Sequence, residues 1–355
     1  MQEKEEIIEV TQDLVEFKTV KGNDEEFEKA FEYVKNYFEN QGLELFEHEE
    51  NDHRTIVIAT DENPDLMLHG HVDVVGAEDS MFQPRTEEGK LYGRGSADMK
   101  LGLACLMKLM KEIDHERSVG LMIVSDEEIG GFDGAGNIME NDVYTPEFAV
   151  SAEPESSGSW TITVEQKGVV RAIASSTGKN AHGSKPWKGE NAAEMLFEKF
   201  QELKKNFEGS ESTWSSTVNL GSFESGETFN VVPDRAEARL DIRWTKDYPP
   251  EEIKKDAESI EGLEYEELTV DPMLYTEKDD EMVETLKSIV NETMKEKVSI
   301  GRWEAASDMR HFSDRGIPSV VFGPKGHNIH EDEEYADLSS VEKYYQTMER
   351  FAGEF

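Results

Sequence analysis

DLMLHGHVDVV, residues 65–75, is almost continuously apolar until its end, where histidine and aspartate enter. A strand with one wet face alternates apolar and polar residues. A nearly unbroken apolar run belongs instead to a strand covered on both faces, as in a parallel sheet flanked by helices. His71 and Asp73 are two apart, so they share a face at the end of this strand. Working outward, SVGLMIVS (118–125), EFAVSA (147–152) and PSVVFG (318–323) read the same way, and a further strand is expected at about 54–60. Helical spacing appears between and around them. It covers 3–17, with Ile7, Ile8, Val10, Leu14 and Phe17 on one side, and then 23–40, about 99–113, 279–295, a short stretch near 308–315, and 339–352. This alternation predicts an α/β catalytic domain with a mostly parallel sheet and helices on both faces.

From about residue 159 the character changes. WTITVEQKGVVRAIASST (160–177) reads as a long strand or hairpin of alternating polarity, followed by a helix over 190–207 and the strand STVNLGSF (216–223). VVPDRAEARLDIRW (231–244), a helix from Pro249 or Pro250 to about 260, and LEYEELTV (263–270) complete the series. The order β-α-β-β-α-β is that of a ferredoxin-like α+β module. Because the α/β pattern resumes after residue 275, the module is expected as an insertion at 159–272, with 1–158 and 273–355 forming one discontinuous domain. A chain of 355 residues is long enough for two cores.

The chain carries 37 basic and 78 acidic residues, a net charge of −41. Nucleic acid and anionic membranes both select clustered Lys and Arg, so neither is an expected partner. Apolar periodicity persists along the chain, which excludes acidic disorder. An acidic coat of this size suits a protein kept soluble in concentrated salt, where screening removes its self-repulsion. A halophilic source is therefore expected. Cys105, the single cysteine, lies in the apolar helical run LGLACLMKLMKEI and reads as a packed core thiol. The start of the chain is an acidic amphipathic helix without a basic n-region, and no long apolar span follows, so a cytoplasmic location is expected.

Charged groups recur at the carboxyl ends of the predicted strands, where open α/β sheets place their sites. They are His71 and Asp73, Asp98 in GRGSADMKLG, Glu127-Glu128 in VSDEEIGG, Glu153 in VSAEP, and His330 in GHNIHEDE. A single strand-end Asp or His is more often a cap or turn residue. Glu127-Glu128, among 78 acids, would alone pass for a solvated pair. Such a set at matching strand ends, in a chain with nine histidines, points to a metal site. Asp73 is placed to hold the His71 imidazole through its second nitrogen. Asp98 follows a glycine turn, where a carboxylate could bridge two ions. Glu127 and Glu128 point in different directions, so one can bind metal while the other takes a proton. Mixed nitrogen and oxygen sites accept Zn²⁺, Co²⁺ or Mn²⁺. GRGSAD lacks Rossmann spacing and no Walker-type loop occurs, which excludes nucleotide binding.

His71-x-Asp73, Asp98, Glu127-Glu128, Glu153-Pro154 and the late His330, in that order over almost the whole chain, resemble the M20 family of zinc-dependent peptidases and deacylases. Length, VSAEP and SDMRHF (307–312) are most similar to its succinyl-diaminopimelate desuccinylase and acetylornithine deacetylase branch. The resemblance implies two divalent metals, with Zn²⁺ expected. His71, Asp98 and Glu153 would hold one, and Asp98, Glu128 and His330 the other, with Asp98 as bridge and Glu127 as general base. It also implies that the inserted domain is a lid through which two chains dimerise. From that lid His182 (GKNAHGSKPWKGENA, 178–192) would reach the active site, in cis or in trans, to stabilise an oxyanion. Asn230 and Arg243 resemble lid residues near a substrate carboxylate, for which a buried Arg243 would suit a bidentate clamp, and Arg310, in the catalytic half, is a further carboxylate-binding candidate. Arg235 and Arg239 read as surface ion-pair residues. His69 is expected to be packed, and His48, His53 and His115 solvated, while His311 and His327 have no matching role. The expected activity is hydrolysis of the amide bond of an N-acyl amino acid by metal-activated water. A dipeptidase or carboxypeptidase is the alternative. A non-catalytic metal-binding descendant is a third reading, against which the intact Glu127 speaks.

Overall fold

In the computed structural model, which describes residues 2–154, 160–207, 209–210, 213–295 and 297–355, four apolar runs pair side by side in parallel. Their order is Val119–Val124, Leu66–His71, Phe148–Ser151 and Ser319–Val321. Every residue in these strands is buried, and parity shows why. Ile56, Ile58, Leu66, Leu68, Leu121, Ile123, Phe148 and Val150 join one core cluster, beneath the helices Gln2–Glu16, Leu101–Glu112, Glu281–Met294 and Val341–Ala352. Their neighbours Val57, Ala59, Met67, Met122, Val124 and Ala149 join another, against Ile138, Met139, Met309 and Phe312. Both faces are covered, so both parities are apolar.

The sheet is mixed rather than mostly parallel. Among the described residues it has nine strands, and antiparallel strands flank the parallel centre. On one side His53–Ala59 runs antiparallel to Val119–Val124, and Glu44–Glu50 runs antiparallel to His53–Ala59. Asn51 and Asp52 join this hairpin with φ of 48° and 67°. Positive φ at both turn residues matches the twist of a tight hairpin, a connection open only to antiparallel neighbours. The strand Glu44–Glu50 is largely exposed and acidic, so no apolar pattern announces it. On the other side Thr161–Gln166 pairs antiparallel with Ser319–Val321, and Leu274–Tyr275 and Ser299–Trp303 complete the sheet.

The chain divides into two compact units, Met1–Glu165 with Leu274–Phe355, and Gln166–Met273. The expected long strand or hairpin near 160–177 is thus split at Lys167. Its first half belongs to the main sheet, which moves the boundary from 159 to 166. The second unit has four antiparallel strands in the order Thr217–Ser225, Arg235–Trp244, Gly168–Thr177 and Glu264–Asp271. The helices Ala192–Lys204 and Pro250–Ser259 contribute Leu196, Phe200, Leu203, Ile253 and Ala257 to one core with Val170, Ala172, Ala174, Ala238, Leu240 and Ile242. Those strand positions share one parity, so both helices pack on one face of this sheet. No helix among the described residues is long and apolar enough to cross a membrane.

Candidate metal centre

A small four-stranded sheet, ordered Gly326–His327, Tyr335–Asp337, Lys90–Tyr92 and Arg85–Glu87, sets two of the site loops side by side. Tyr335 pairs with Tyr92, so the loop carrying His330 and the loop leading to Asp98 leave the same edge. Gly95, at φ 79°, turns the second loop where an added Cβ would lie 2.5 Å from Val74 Cγ1. The helix expected from residue 99 starts at Leu101, because Asp98 and Met99 have non-helical dihedrals. Glu334, fully buried, accepts from the backbone N–H of Ala97 at 3.0 Å and of Asp98 at 3.2 Å, and pairs with the buried Arg94. Neither Glu334 nor Arg94 stands out in the sequence: one acid among 78 carries no signal of its own.

The Asp98 carboxylate lies between two imidazoles. Its Oδ1 is 3.3 Å from His71 Nε2, and its Oδ2 is 3.4 Å from His330 Nε2. His330 Nε2 is also 3.1 Å from Glu128 Oε1. Ligand atoms of Asp98, Glu128 and His330 all lie within 4.8 Å of one another. Glu153, 3% exposed, accepts a hydrogen bond from Ser151 Oγ at 3.1 Å. Asp73 faces the second nitrogen of His71 twice: His71 Nδ1 lies 2.9 Å from its main-chain carbonyl and 3.4 Å from its carboxylate Oδ1. That carboxylate uses Oδ2 to accept from Glu128 N at 2.9 Å, so it ties the turn of the two glutamates to the strand end. A backbone carbonyl orients an imidazole as well as a carboxylate does.

Electrostatics shows what this arrangement lacks. Burial, and then Glu153, push the Glu127 carboxyl well above the ordinary carboxylate range. Burial and Asp98 push Glu153 up to about 8. Burial also works against Asp98, but hydrogen bonds from His330 and His71 outweigh it and hold this group below the usual range. Asp98 and Glu128 in turn raise His330 to about 10. Burial opposes charge on His71, yet Asp73 and Asp98 hold it well above its ordinary value. Protons on two imidazoles thus do the work of cations, and they do not suffice for Glu127 and Glu153. A crowded set of carboxylates and imidazoles in which two buried carboxyls resist ionisation fits divalent ions, which supply charge and take the imidazole lone pairs.

The remaining candidates separate. Arg310 is 7% exposed. Its Nη2 donates to Gly130 O at 2.6 Å, and its guanidinium lies over the Phe132 ring. His311 Nε2 is 3.0 Å from the same carbonyl. Both therefore brace the turn that follows Glu127-Glu128, a role the sequence does not suggest, and Arg310 Nε is left buried with no hydrogen-bond partner. Arg243 is not buried as a clamp would require. It is half-exposed and paired with Asp241, Nε to Oδ1 at 2.9 Å. The buried residues of its strand are Ala236, Ala238, Leu240 and Ile242, which leaves Arg243 on the opposite parity. In the second unit His182 and Asn230 lie close together, since His182 pairs with Val231 and Gly183 N donates to Asn230 O at 2.7 Å. His182 is exposed, and its Nδ1 accepts from Ser184 N at 3.1 Å, which leaves Nε2 as the protonated nitrogen of the neutral ring.

The family described as Peptidase family M20/M25/M40 matches residues 67–354. The chain belongs to the M20 family. It is accordingly a metallohydrolase of a family that acts on amide and peptide bonds. This M20 chain is 25% identical over 354 aligned residues to succinyl-diaminopimelate desuccinylase of Rickettsia bellii, covering 91% of this chain and 90% of that protein. Aminopeptidase PepT from Bacillus cereus has the same fold, with a TM-score of 0.76 at 19% identity over 99% of this chain and 98% of that one. A dinuclear metal-binding M20 peptidase from Bacillus subtilis gives 0.68 at 15% identity, covering 99% and 98%.

Proposed function

We propose that this M20 metallohydrolase is a two-metal deacylase that cleaves the amide bond of an N-acyl amino acid, of the deacetylase or desuccinylase type. The observation that carries the reading is Asp98, whose two oxygens face His71 on one side and His330 on the other. His71, Asp98 and Glu153 would hold one ion and Asp98, Glu128 and His330 the second. When bound, the ions, with Zn²⁺ expected, polarise the amide carbonyl and lower the pKa of water. Glu127 takes a proton from that water and delivers it to the leaving amine. Asp73 and Arg310 hold the turn on which Glu127 sits. The second unit acts as a lid and dimerisation module, supported by the exposed Trp187, Phe197 and Phe229 on it. His182 serves as oxyanion donor through Nε2, with Asn230 and Arg243 near the substrate's carboxylate. The enzyme works in the cytoplasm of a cell with high internal salt.

Peptide hydrolysis is the second reading, favoured by the aminopeptidase that shares the fold. One screen separates the two. Protein loaded with Zn²⁺ in molar KCl is offered N-acetylornithine, N-succinyl-diaminopimelate, other N-acyl amino acids and dipeptides. Release of free amino acid from an N-acyl substrate is expected, and cleavage of dipeptides alone overturns the deacylase reading.

A further inference from the structure

Beyond the ligands themselves, a buried polar chain crosses the main sheet and ends on Glu153. Its members are Asp308, His69 and Ser151, each fully buried. Asp308 Oδ2 lies 3.1 Å from His69 Nε2, and His69 Nδ1 lies 3.3 Å from Ser151 Oγ. Ser151 Oγ donates to Glu153 Oε1 at 3.1 Å. His69 and Ser151 are register partners on adjacent parallel strands, so the sheet itself fixes their spacing. Asp308 is admitted by a glycine: a Cβ on Gly131 would lie 1.8 Å from Asp308 Oδ1.

We propose that Asp308, His69 and Ser151 are positioning residues that fix the Glu153 carboxylate as ligand of one of the two metal ions, an inference that rests on the two-metal reading. Three fully buried polar side chains are costly even where they bond one another, Asp308 Oδ1 is left with no hydrogen-bond partner, and apolar residues of the same volume would pack there at no such cost. What the polar chain adds is direction. The main chain beside Glu153 is already clamped, because a Cβ on Gly102 or Gly323 would meet Ala152 O at 2.3 or 2.2 Å. The carboxylate beyond it has rotatable bonds, and the Ser151 hydroxyl sets where one of its oxygens lies. His69, held by Asp308, sets the hydroxyl. Groups that orient a metal ligand in this way typically change metal affinity by about 10–100-fold when removed.

The test is titration of metal-stripped protein with Zn²⁺ by calorimetry, alongside thermal unfolding. Wild type takes up two ions. Ser151→Ala, which removes one oxygen, weakens one of the two binding events by about 10–100-fold and leaves the other unchanged. Asp308→Asn keeps the side chain's volume and does the same through His69, to a smaller extent. It carries the test if Ser151→Ala does not fold. Variants that unfold at lower temperature yet bind both ions as wild type does show a packed core histidine and overturn the inference. A wild type that takes up no ion overturns the two-metal reading instead.

Discussion

Glu127 and Glu153 show how a residue's surroundings state its task. Both are held among other acids, and both resist ionisation as long as the imidazoles are the only cations near them. Glu127→Gln removes the proposed proton acceptor while keeping the shape of the side chain. It should retain both ions by calorimetry and lose about 10²–10⁴-fold in turnover; substantial residual activity refutes its role as base. A pH dependence follows from the same groups. The carboxyl of Glu153 rises from 4.5 to about 8 on folding, so the metal-free folded protein keeps a proton that the unfolded chain has lost, and stability falls across that window. His330 rises from 6.5 to about 10, so its contribution is complete below 6.5 and disappears as pH climbs through 10. Both act in one direction. The melting temperature of the EDTA-treated protein should fall as pH is raised from 4.5 toward 10, and bound ions should flatten the curve. A flat curve without metal contradicts this reading. The proposed ligand residues are legible in the sequence because imidazoles are scarce and stand at strand ends. Glu334 is not, since nothing local distinguishes it from its acidic neighbours Glu331, Asp332 and Glu333.

At the scale of elements, the site depends on close approaches that only small residues permit. Gly102→Ala or Gly323→Ala would drive a methyl group into the carbonyl of Ala152. Overpacking of this kind costs about 1–3 kcal/mol, and the displaced loop should also weaken metal binding, which unfolding and calorimetry together would show. Glu334→Gln would leave Arg94 buried and uncompensated. A loss of about 3–5 kcal/mol is expected from denaturant unfolding, and a loss well below ~1 kcal/mol would show that the pair contributes little. The four parallel strands are readable because both of their faces are apolar. Glu44–Glu50 and Ser299–Trp303 are not, since they lie outside the parallel centre with largely exposed or half-exposed side chains. The strands of the small sheet that aligns Asp98 with His330 are two or three residues long, too short for any period to register. The parity of Arg235–Trp244 is readable, and it contradicts a buried Arg243.

For the whole molecule the charge of −41 governs the conditions under which the chain folds. Repulsion among unscreened carboxylates opposes the compact state, and salt relieves it. The melting temperature should therefore rise steeply between dilute buffer and molar KCl; folding that is indifferent to salt would remove the case for a halophilic source. The division into two units is visible as a change from buried runs to alternating strands, but its edge is not. Thr161–Gln166 looks like the strand that follows it, and only its pairing with Ser319–Val321 assigns it to the main sheet.

That pairing has a consequence for synthesis. Ser319–Val321 fills the place between Phe148–Ser151 and Thr161–Gln166. A ribosome therefore releases the earlier parallel strands on the order of ten seconds before the strand that seals them. Throughout that interval Phe148–Ser151 presents an open hydrogen-bonding edge, a template for pairing with other chains. Asp308, His330 and Glu334 arrive with the same late segment, so the candidate site can be completed only after most of the chain has been made.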